Sequence, residues 1–258
     1  MRHCWHGEPD AVHLHCRRRW RFAAHAKVGR WDALGLMDAR EWNEYYADSD
    51  QAWTRPDDDV VDEVAGLPVG RALDLGAGEG ANSIWLARRG WQVTAIDQAP
   101  AAIETLVRLA AAEGLAIRGE VADIAEYRPG ARYDLSLICY VHLPPATRER
   151  TLANAAAALA PGGVLLLIGI PAPDRDDAGV GEMSSVTPRM PEPLSLLPEV
   201  PDEIGGSLRQ LTIERCDVRR RTIGSVEGEL HADVLLIRAR RPVARVERYG
   251  STYEAMME

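Results

Sequence analysis

Short apolar runs alternate with helical patterns through the middle of the chain. Apolar runs of strand length lie at 71–75, 92–97, 117–124, 132–140 and 164–170. A helical pattern follows the first run, and the alanine-rich stretch 147–160 is typical of a helix that ends at Pro161-Gly162-Gly163. The apolar run at 164–170 is typical of a strand that is covered on both faces. The pattern therefore predicts an α/β fold with a mostly parallel sheet.

The flanking segments predict further elements and the domain limits. Residues 39–46 and 58–65 have helical patterns, and 211–218 and 231–239 are strand-like and suited to an antiparallel pair. We expect a single domain over residues 37–242, preceded by a disordered extension (1–36) and followed by a tail (243–258). The proline-rich segment 171–210 is too long and irregular for a plain connector. It is either a solvated insertion or, as we expect, a lid over a substrate.

A glycine turn with acidic neighbours gives the strongest indication of chemistry. The first strand runs into Gly76-Ala77-Gly78-Glu79-Gly80, and the second ends at Asp97. Glycines without Cβ atoms let a ligand lie against the backbone, and the helix that begins near Glu79 points N–H groups at it. Asp97 can accept hydrogen bonds from the cis-diol of a ribose. These parts together predict a nucleoside-binding pocket.

The glycines alone fit two kinds of cofactor, since 76–81 also satisfies the dinucleotide pattern G-x-G-x-x-G/A. Asp74 favours one of them. A carboxylate two residues before the first glycine would repel a pyrophosphate, but it would attract an ammonium or a sulfonium. The acid-x-Gly-x-Gly-x-Gly loop resembles the first motif of the class I S-adenosylmethionine-dependent methyltransferases, and the resemblance covers roughly residues 42–242.

The N-terminal segment W…YY…W…P looks like that of the tellurite-resistance and thiopurine-type branch, where this segment folds over the cofactor. Asp57 stands where that branch commonly has asparagine. Trp42, Tyr46 and Trp53 are expected either to pack the sheet edge or to close an aromatic lid over a sulfonium. Both interpretations stay open at this point.

The resemblance implies a doubly wound, seven-stranded, mostly parallel sheet (a Rossmann-like methyltransferase fold) with an antiparallel last strand. It also implies methyl transfer from S-adenosyl-L-methionine to a small-molecule acceptor. Asp123 would accept a hydrogen bond from the adenine amino group, with Ile124 against the ring. The predicted cofactor-binding residues are Asp74, Gly76, Ala77, Gly78, Glu79, Gly80, Asp97, Gln98, Asp123, Ile124 and Cys139.

Tyr140 and His142, at the end of the fourth strand, are the candidates for catalysis. His142 could take a proton near neutral pH or could simply hold the loop by a hydrogen bond. A base is needed only if the acceptor arrives protonated. An NAD(P)-dependent oxidoreductase and a non-catalytic S-adenosylmethionine-binding protein are the alternatives.

The charge and composition of the chain argue against several kinds of partner and location. The net charge of −9 argues against a nucleic-acid partner, and no apolar run reaches the ~18 residues that span a bilayer. Cys and His residues near the N-terminus match no common zinc spacing, so we expect no metal site. The four cysteines form no CxxC motif and no secretory signal is evident, which predicts a reduced, cytoplasmic location.

Overall fold

The fold is given by a computed structural model, which describes residues 38–48, 52, 54–141, 143–169, 206–225 and 228–243. Five helices lie wholly within these ranges: α1 (Ala39–Ala47), α2 (Asp58–Val64), α3 (Ala81–Arg88), α4 (Pro100–Ala112) and α5 (Pro145–Ala158). The strands are β1 (Arg71–Leu75), β2 (Gln92–Asp97), β3 (Ile117–Val121), β4 (Tyr133–Cys139), β5 (Leu159–Gly169), β6 (Thr212–Ser225) and β7 (Gly228–Arg240).

The strands form a seven-stranded sheet in the order β3-β2-β1-β4-β5-β7-β6. Strands β1 to β5 pair in parallel, and β7 runs antiparallel to both of its neighbours. The predicted doubly wound sheet with an antiparallel last strand is confirmed. The strand order reverses between β1 and β4, and ligands bind at the carboxyl ends of the strands next to such a reversal.

Alternate residues of the central strands pack into two cores, one on each face of the sheet. Leu73 and Leu75 of β1 belong to one apolar cluster, while Ala72 belongs to the other. Leu135 and Leu165 are likewise fully buried. Burial on both faces explains why these strands read as continuous apolar runs.

Local signals account for where the first two helices begin. Asp38 caps α1 and forms a reciprocal capping box with Glu41. The Asp57 carboxylate accepts hydrogen bonds from the backbone N–H groups of Asp59 and Val60 and so caps α2.

Several boundaries differ from the sequence prediction. α5 begins and ends two residues earlier than predicted, and β5 already begins at Leu159, so that Pro161-Gly162-Gly163 lies inside this strand. The β4–β5 register shifts between Tyr133 and Leu135, which accommodates the glycines. β6 and β7 are longer than their apolar segments, because a hairpin ladder is held by backbone hydrogen bonds that polar residues also supply.

Several predicted segments lie outside the described residues. They are the extension 1–36, the lid over 171–205, the tail beyond 243, Trp53 and His142. The longest described helix has 14 residues. None of the helices in the described ranges combines the length and the apolar character needed to cross a membrane.

Candidate functional site

The glycine turn connects β1 to α3 at the carboxyl edge of the sheet. Gly78 and Gly80 have φ angles of 53° and 88°, which side chains rarely adopt. A Cβ at Gly80 would lie 2.5 Å from Cγ of Leu106, so α4 also packs too closely for a side chain there. Gly80 begins α3 without a side-chain cap. The turn therefore brings bare backbone and the positive end of a helix to the same place.

Asp74 lies at the end of β1, beneath this turn, and is 2 % exposed. Its carboxyl group accepts a 2.7 Å hydrogen bond from the Ser83 hydroxyl. Burial raises the pKa of Asp74 to about 7; the bond from Ser83 opposes this shift, and the charge of Asp97 adds to it. A cationic group bound nearby would favour the ionised carboxylate.

Asp97, at the end of β2, ties the glycine turn to the neighbouring strand. Its two carboxylate oxygens accept hydrogen bonds from the backbone N–H groups of Gly78 (2.8 Å) and Ala99 (2.9 Å). Burial raises the pKa of Asp97, and these backbone hydrogen bonds oppose the shift. Each oxygen has a further lone pair. Asp97 can therefore hold the turn and still accept a hydroxyl group of a ligand. The half-buried Gln98 follows directly.

Asp123 and Ile124 lie in the turn after β3, which ends earlier than the sequence suggested. The Asp123 carboxylate accepts a 2.8 Å hydrogen bond from the Ala125 N–H, and the side chain is exposed. Ile124 is buried in one of the two cores. Both residues follow the strand next to β2, as predicted for an adenine pocket.

β4 ends at Cys139, which is followed by a strained residue, Tyr140. Within the described ranges, Tyr140 is the single non-glycine residue with positive φ (54°). Its N–H donates to the carbonyl of Ile168 on β5, and its hydroxyl donates to Oδ2 of Asp57 at 3.1 Å. Burial raises the pKa of the Cys139 thiol well above its ordinary value, as do the charges of Asp57 and Asp74.

Asp57 therefore belongs to the site, although the sequence singled it out only as a departure from the asparagine that the similar branch commonly has. Its N–H donates to the side-chain oxygen of Asn82 in the first turn of α3, and its carboxylate accepts the hydroxyl of Tyr140, the residue after β4. The start of α2 is thus joined to the start of α3 and to the end of β4. Nothing in the sequence around Asp57 indicates its long-range contacts with Asn82 and Tyr140.

α1 lies across the glycine turn. The Tyr46 hydroxyl is 2.9 Å from the point where a Cβ at Gly78 would stand. Asn43 accepts a 2.8 Å hydrogen bond from the N–H of Ala101 in the first turn of α4. Trp42 stacks on Tyr46, with ring centroids 5.9 Å apart. Of the two interpretations of these aromatics, the structure places Tyr46 over the turn rather than at a sheet edge.

The site as a whole is acidic. Asp57, Asp74, Glu79 and Asp97 surround the turn and the end of β4, and Glu79 is buried with Asp74 and Asp97. Carboxylates in this number suit a ligand that carries positive charge. The predicted residues of the turn and of the ends of β1, β2 and β4 are brought together. His142 lies outside the described residues.

Comparison with known proteins identifies a matching family model and related sequences. Residues 72–163 match a family model described as "Methyltransferase domain". A ribosomal RNA small subunit methyltransferase C from Alcanivorax borkumensis is 36% identical over 108 residues, 38% of this chain and 32% of that protein. Hemagglutinin 1 from Eikenella corrodens is 31% identical over 100 residues, 38% of this chain and 33% of that protein. The chain thus spans about a third of the length of these curated relatives.

Solved structures share the fold over a larger part of the chain. TehB from Haemophilus influenzae superposes with a TM-score of 0.58 at 20% identity, over 78% of this chain and 67% of that one. The N-methyltransferase NodS from Bradyrhizobium japonicum WM9, in complex with S-adenosyl-L-homocysteine, gives 0.53 at 20% identity, over 80% of this chain and all of that one. At such identities the likeness is one of fold.

Proposed function

We propose that this chain, whose residues 72–163 match a family model described as a methyltransferase domain, transfers a methyl group from S-adenosyl-L-methionine to a small-molecule acceptor. The observation that carries the proposal is the pair of buried carboxyl groups, Asp74 and Asp97, on either side of the glycine turn. One of them suits the cationic amino-acid end of the cofactor and the other suits its ribose.

The residues of the pocket fit this cofactor from end to end. Asp74 and the backbone of the turn would hold the methionine part, because a carboxyl group with a pKa of about 7 ionises readily beside a cation. Asp97 would accept the ribose hydroxyls while it keeps its bonds to Gly78 and Ala99. Asp123 and Ile124 would bind the adenine. Gly76, Ala77, Glu79, Gly80, Gln98 and Cys139 complete the predicted contacts.

The cofactor, when bound, supplies a methyl group that its sulfonium already activates. The protein then has to hold the acceptor in line with the carbon and sulfur atoms and to exclude water. Orientation of this kind can supply ~7–11 kcal/mol of the barrier reduction. Tyr140 stands at the end of β4, where the acceptor would approach, and we propose it and His142 as the catalytic candidates.

The negative charge of the chain supports a small-molecule acceptor over a nucleic acid. The chain carries a net charge of −9, and binding to a nucleic-acid backbone is dominated by basic side chains that neutralise phosphates. Carboxyl groups rather than basic groups surround the glycine turn. We therefore do not propose an RNA acceptor for this chain, although one relative is a ribosomal RNA methyltransferase.

A thermal-shift titration tests the cofactor. We expect S-adenosyl-L-homocysteine to raise the melting temperature of the wild-type protein, and NAD to leave it unchanged. Asp97→Ala should lose most of the shift, whereas Asp62→Ala, which removes an aspartate of α2 away from the turn, should keep it. Each shift is read against the ligand-free melting temperature of the same variant, so that any loss of stability cancels.

Three results would oppose the proposal. Stabilisation by NAD alone would make the chain a nicotinamide enzyme, whose pattern the glycines also satisfy. An equal response of wild type and Asp97→Ala would show that the ligand binds elsewhere. A protein that binds S-adenosyl-L-homocysteine but transfers no methyl group in a screen of amines, phenols, thiols and chalcogen oxyanions would be a cofactor-binding protein without catalysis.

A further inference from the structure

The backbone around Tyr140 is strained and fixed. Its φ of 54° is unfavourable for a tyrosine, and such outliers persist where the surrounding structure enforces them. Here the N–H bond to Ile168 fixes the backbone, and the hydroxyl bond to Asp57 fixes the ring. The side chain remains 37 % exposed. A ligand at the carboxyl end of β4 can therefore reach it.

The direction of the Tyr140–Asp57 hydrogen bond determines what such a ligand must offer. A phenol has one hydroxyl proton, and Tyr140 uses it to donate a hydrogen bond to Oδ2 of Asp57. Burial, followed by the charge of Asp57, raises the pKa of Tyr140 above its ordinary value, so the hydroxyl keeps its proton at neutral pH. The remaining lone pair of the Tyr140 oxygen can then only accept. A ligand that binds there has to donate an N–H or O–H group.

Asp57 is held in place from three sides. Its Oδ1 accepts hydrogen bonds from two N–H groups of α2, and its own N–H is bound by Asn82. α2 is in turn anchored to the hairpin of β6 and β7, where Arg219 pairs with Asp59 at 2.9 Å. This carboxylate is therefore a fixed group beside the candidate acceptor site.

The same geometry disfavours an anionic acceptor. Asp57 and Asp74 both act on the thiol of Cys139, which precedes Tyr140. A thiolate or an oxyanion at the end of β4 would meet these carboxyl groups, whereas an amine or a neutral hydroxyl would not be repelled. The nearby Arg55 pairs with the exposed Asp58 at 2.9 Å.

On the premise of the proposed methyl transfer, we propose that Tyr140 and Asp57 form an acceptor-binding pair that selects a neutral or cationic small molecule with an N–H or O–H nucleophile and removes its proton. The lone pair of the acceptor nitrogen or oxygen forms the new bond to the methyl carbon. The carbon–sulfur bond breaks, and its electron pair stays on sulfur. The acceptor proton passes to the Tyr140 oxygen as the hydroxyl proton of Tyr140 passes to Oδ2 of Asp57, which later releases it to water.

Methyl transfer and binding with four probes test this pair in the full chain. Benzylamine and 4-methylphenol carry a donor, whereas 4-nitrothiophenol at pH 8 and selenite are anions. We expect wild-type kcat/KM to be at least tenfold higher for a donor-bearing probe than for either anion. Benzylamine or 4-methylphenol should also bind the complex with S-adenosyl-L-homocysteine in a calorimetric titration.

The variant Tyr140→Phe removes the hydroxyl group of the pair, and Asp57→Asn removes its carboxylate. Phenylalanine keeps the ring, and asparagine keeps a good helix cap without the charge. Both should lower kcat/KM for the donor-bearing probe by about 10²-fold or more, because proton transfer typically contributes 10²–10⁴-fold. The affinity for S-adenosyl-L-homocysteine should stay within about twofold. Asp58→Asn, which changes the next residue, should match the wild type.

The possible outcomes separate this inference from the proposed function. Wild-type kinetics in Tyr140→Phe and Asp57→Asn would overturn the pair. A preference for selenite or the thiolate would overturn the acceptor class, as would failure of both donor-bearing probes to bind the complex with S-adenosyl-L-homocysteine. In each of these cases the cofactor still binds and the proposed function stands. A wild-type protein that fails to bind S-adenosyl-L-homocysteine would instead contradict the proposed function itself.

Discussion

Replacement of Asp74 by asparagine should change how stability depends on pH. The pKa of Asp74 rises from 3.8 to about 7 on folding, mainly through burial. Between these values the folded chain holds a proton that the unfolded chain has lost, so the free energy of unfolding falls as pH rises. A shift of about three pKa units corresponds to about 4 kcal/mol. The asparagine of the variant would not titrate, and it could still accept the hydroxyl bond from Ser83.

The variant should therefore become more stable relative to the wild type as the pH rises. From the two pKa values, we expect the difference in unfolding free energy to grow by about 2–3 kcal/mol between pH 5 and pH 8. Urea unfolding at four pH values measures this difference, in which the titrations of groups that do not interact with Asp74 cancel. A difference that stays constant within 0.5 kcal/mol, roughly the error of such measurements, would refute the reasoning about burial.

The cofactor site should show the opposite tendency. If a cationic ligand requires ionised Asp74, the affinity of the wild type for S-adenosyl-L-homocysteine should weaken up to tenfold per pH unit as the pH falls below 7. Asp74→Asn should bind more weakly and with little dependence on pH between 5.5 and 7.5. Isothermal titration calorimetry gives both curves. Identical affinity curves for the two proteins would show that Asp74 takes no part in ligand binding.

Four further variants test the packing in and around the site by urea unfolding. Gly80→Ala should destabilise the protein by about 3 kcal/mol, since strain and a clash add, whereas Gly114→Ala, with positive φ but open space, should cost about 1 kcal/mol. Arg219→Met should cost about 3 kcal/mol, because it leaves the carboxylate of Asp59, 2 % exposed, without this partner. Asn43→Ala should cost about 1 kcal/mol through the lost cap of α4.

Each expectation has an outcome that would contradict it. Equal losses for the two glycine variants would show that contact with α4 adds nothing at Gly80. A loss below about 1 kcal/mol for Arg219→Met would mean that the pair behaves as an exposed one, like Arg55 with Asp58. A neutral Asn43→Ala would mean that water satisfies the first turn of α4 equally well.

The parts of the site that the sequence predicted are those specified locally. Asp74 and Asp97 end apolar runs, and in a parallel sheet the carboxyl ends of neighbouring strands meet at one edge. Positive φ in the turn requires glycine, which is visible as spacing. Strand order and the antiparallel last strand followed from the resemblance of these motifs to a known family.

The contacts that sequence reasoning missed join residues far apart in the chain. Asp57 and Tyr140 are 83 positions apart, and Asn43 and Ala101 are 58 apart. Each residue has an ordinary local role, as a helix cap or a surface polar group, and only packing makes them partners. The early start of β5 was missed for a similar reason, because its pairing with Tyr133 of β4 overrides the helix-ending signal of proline and glycine.

The weak attachment of α1 affects how fast a bound ligand can leave the site. None of the residues of α1 is fully buried, although Tyr46 lies on the glycine turn and Asn43 caps α4. A helix held by so little buried surface detaches at a small fraction of the global unfolding free energy. Its amide hydrogens should therefore exchange far faster than those of β1 and β4. A ligand bound beneath α1 should slow that exchange, and its departure should then require α1 to detach.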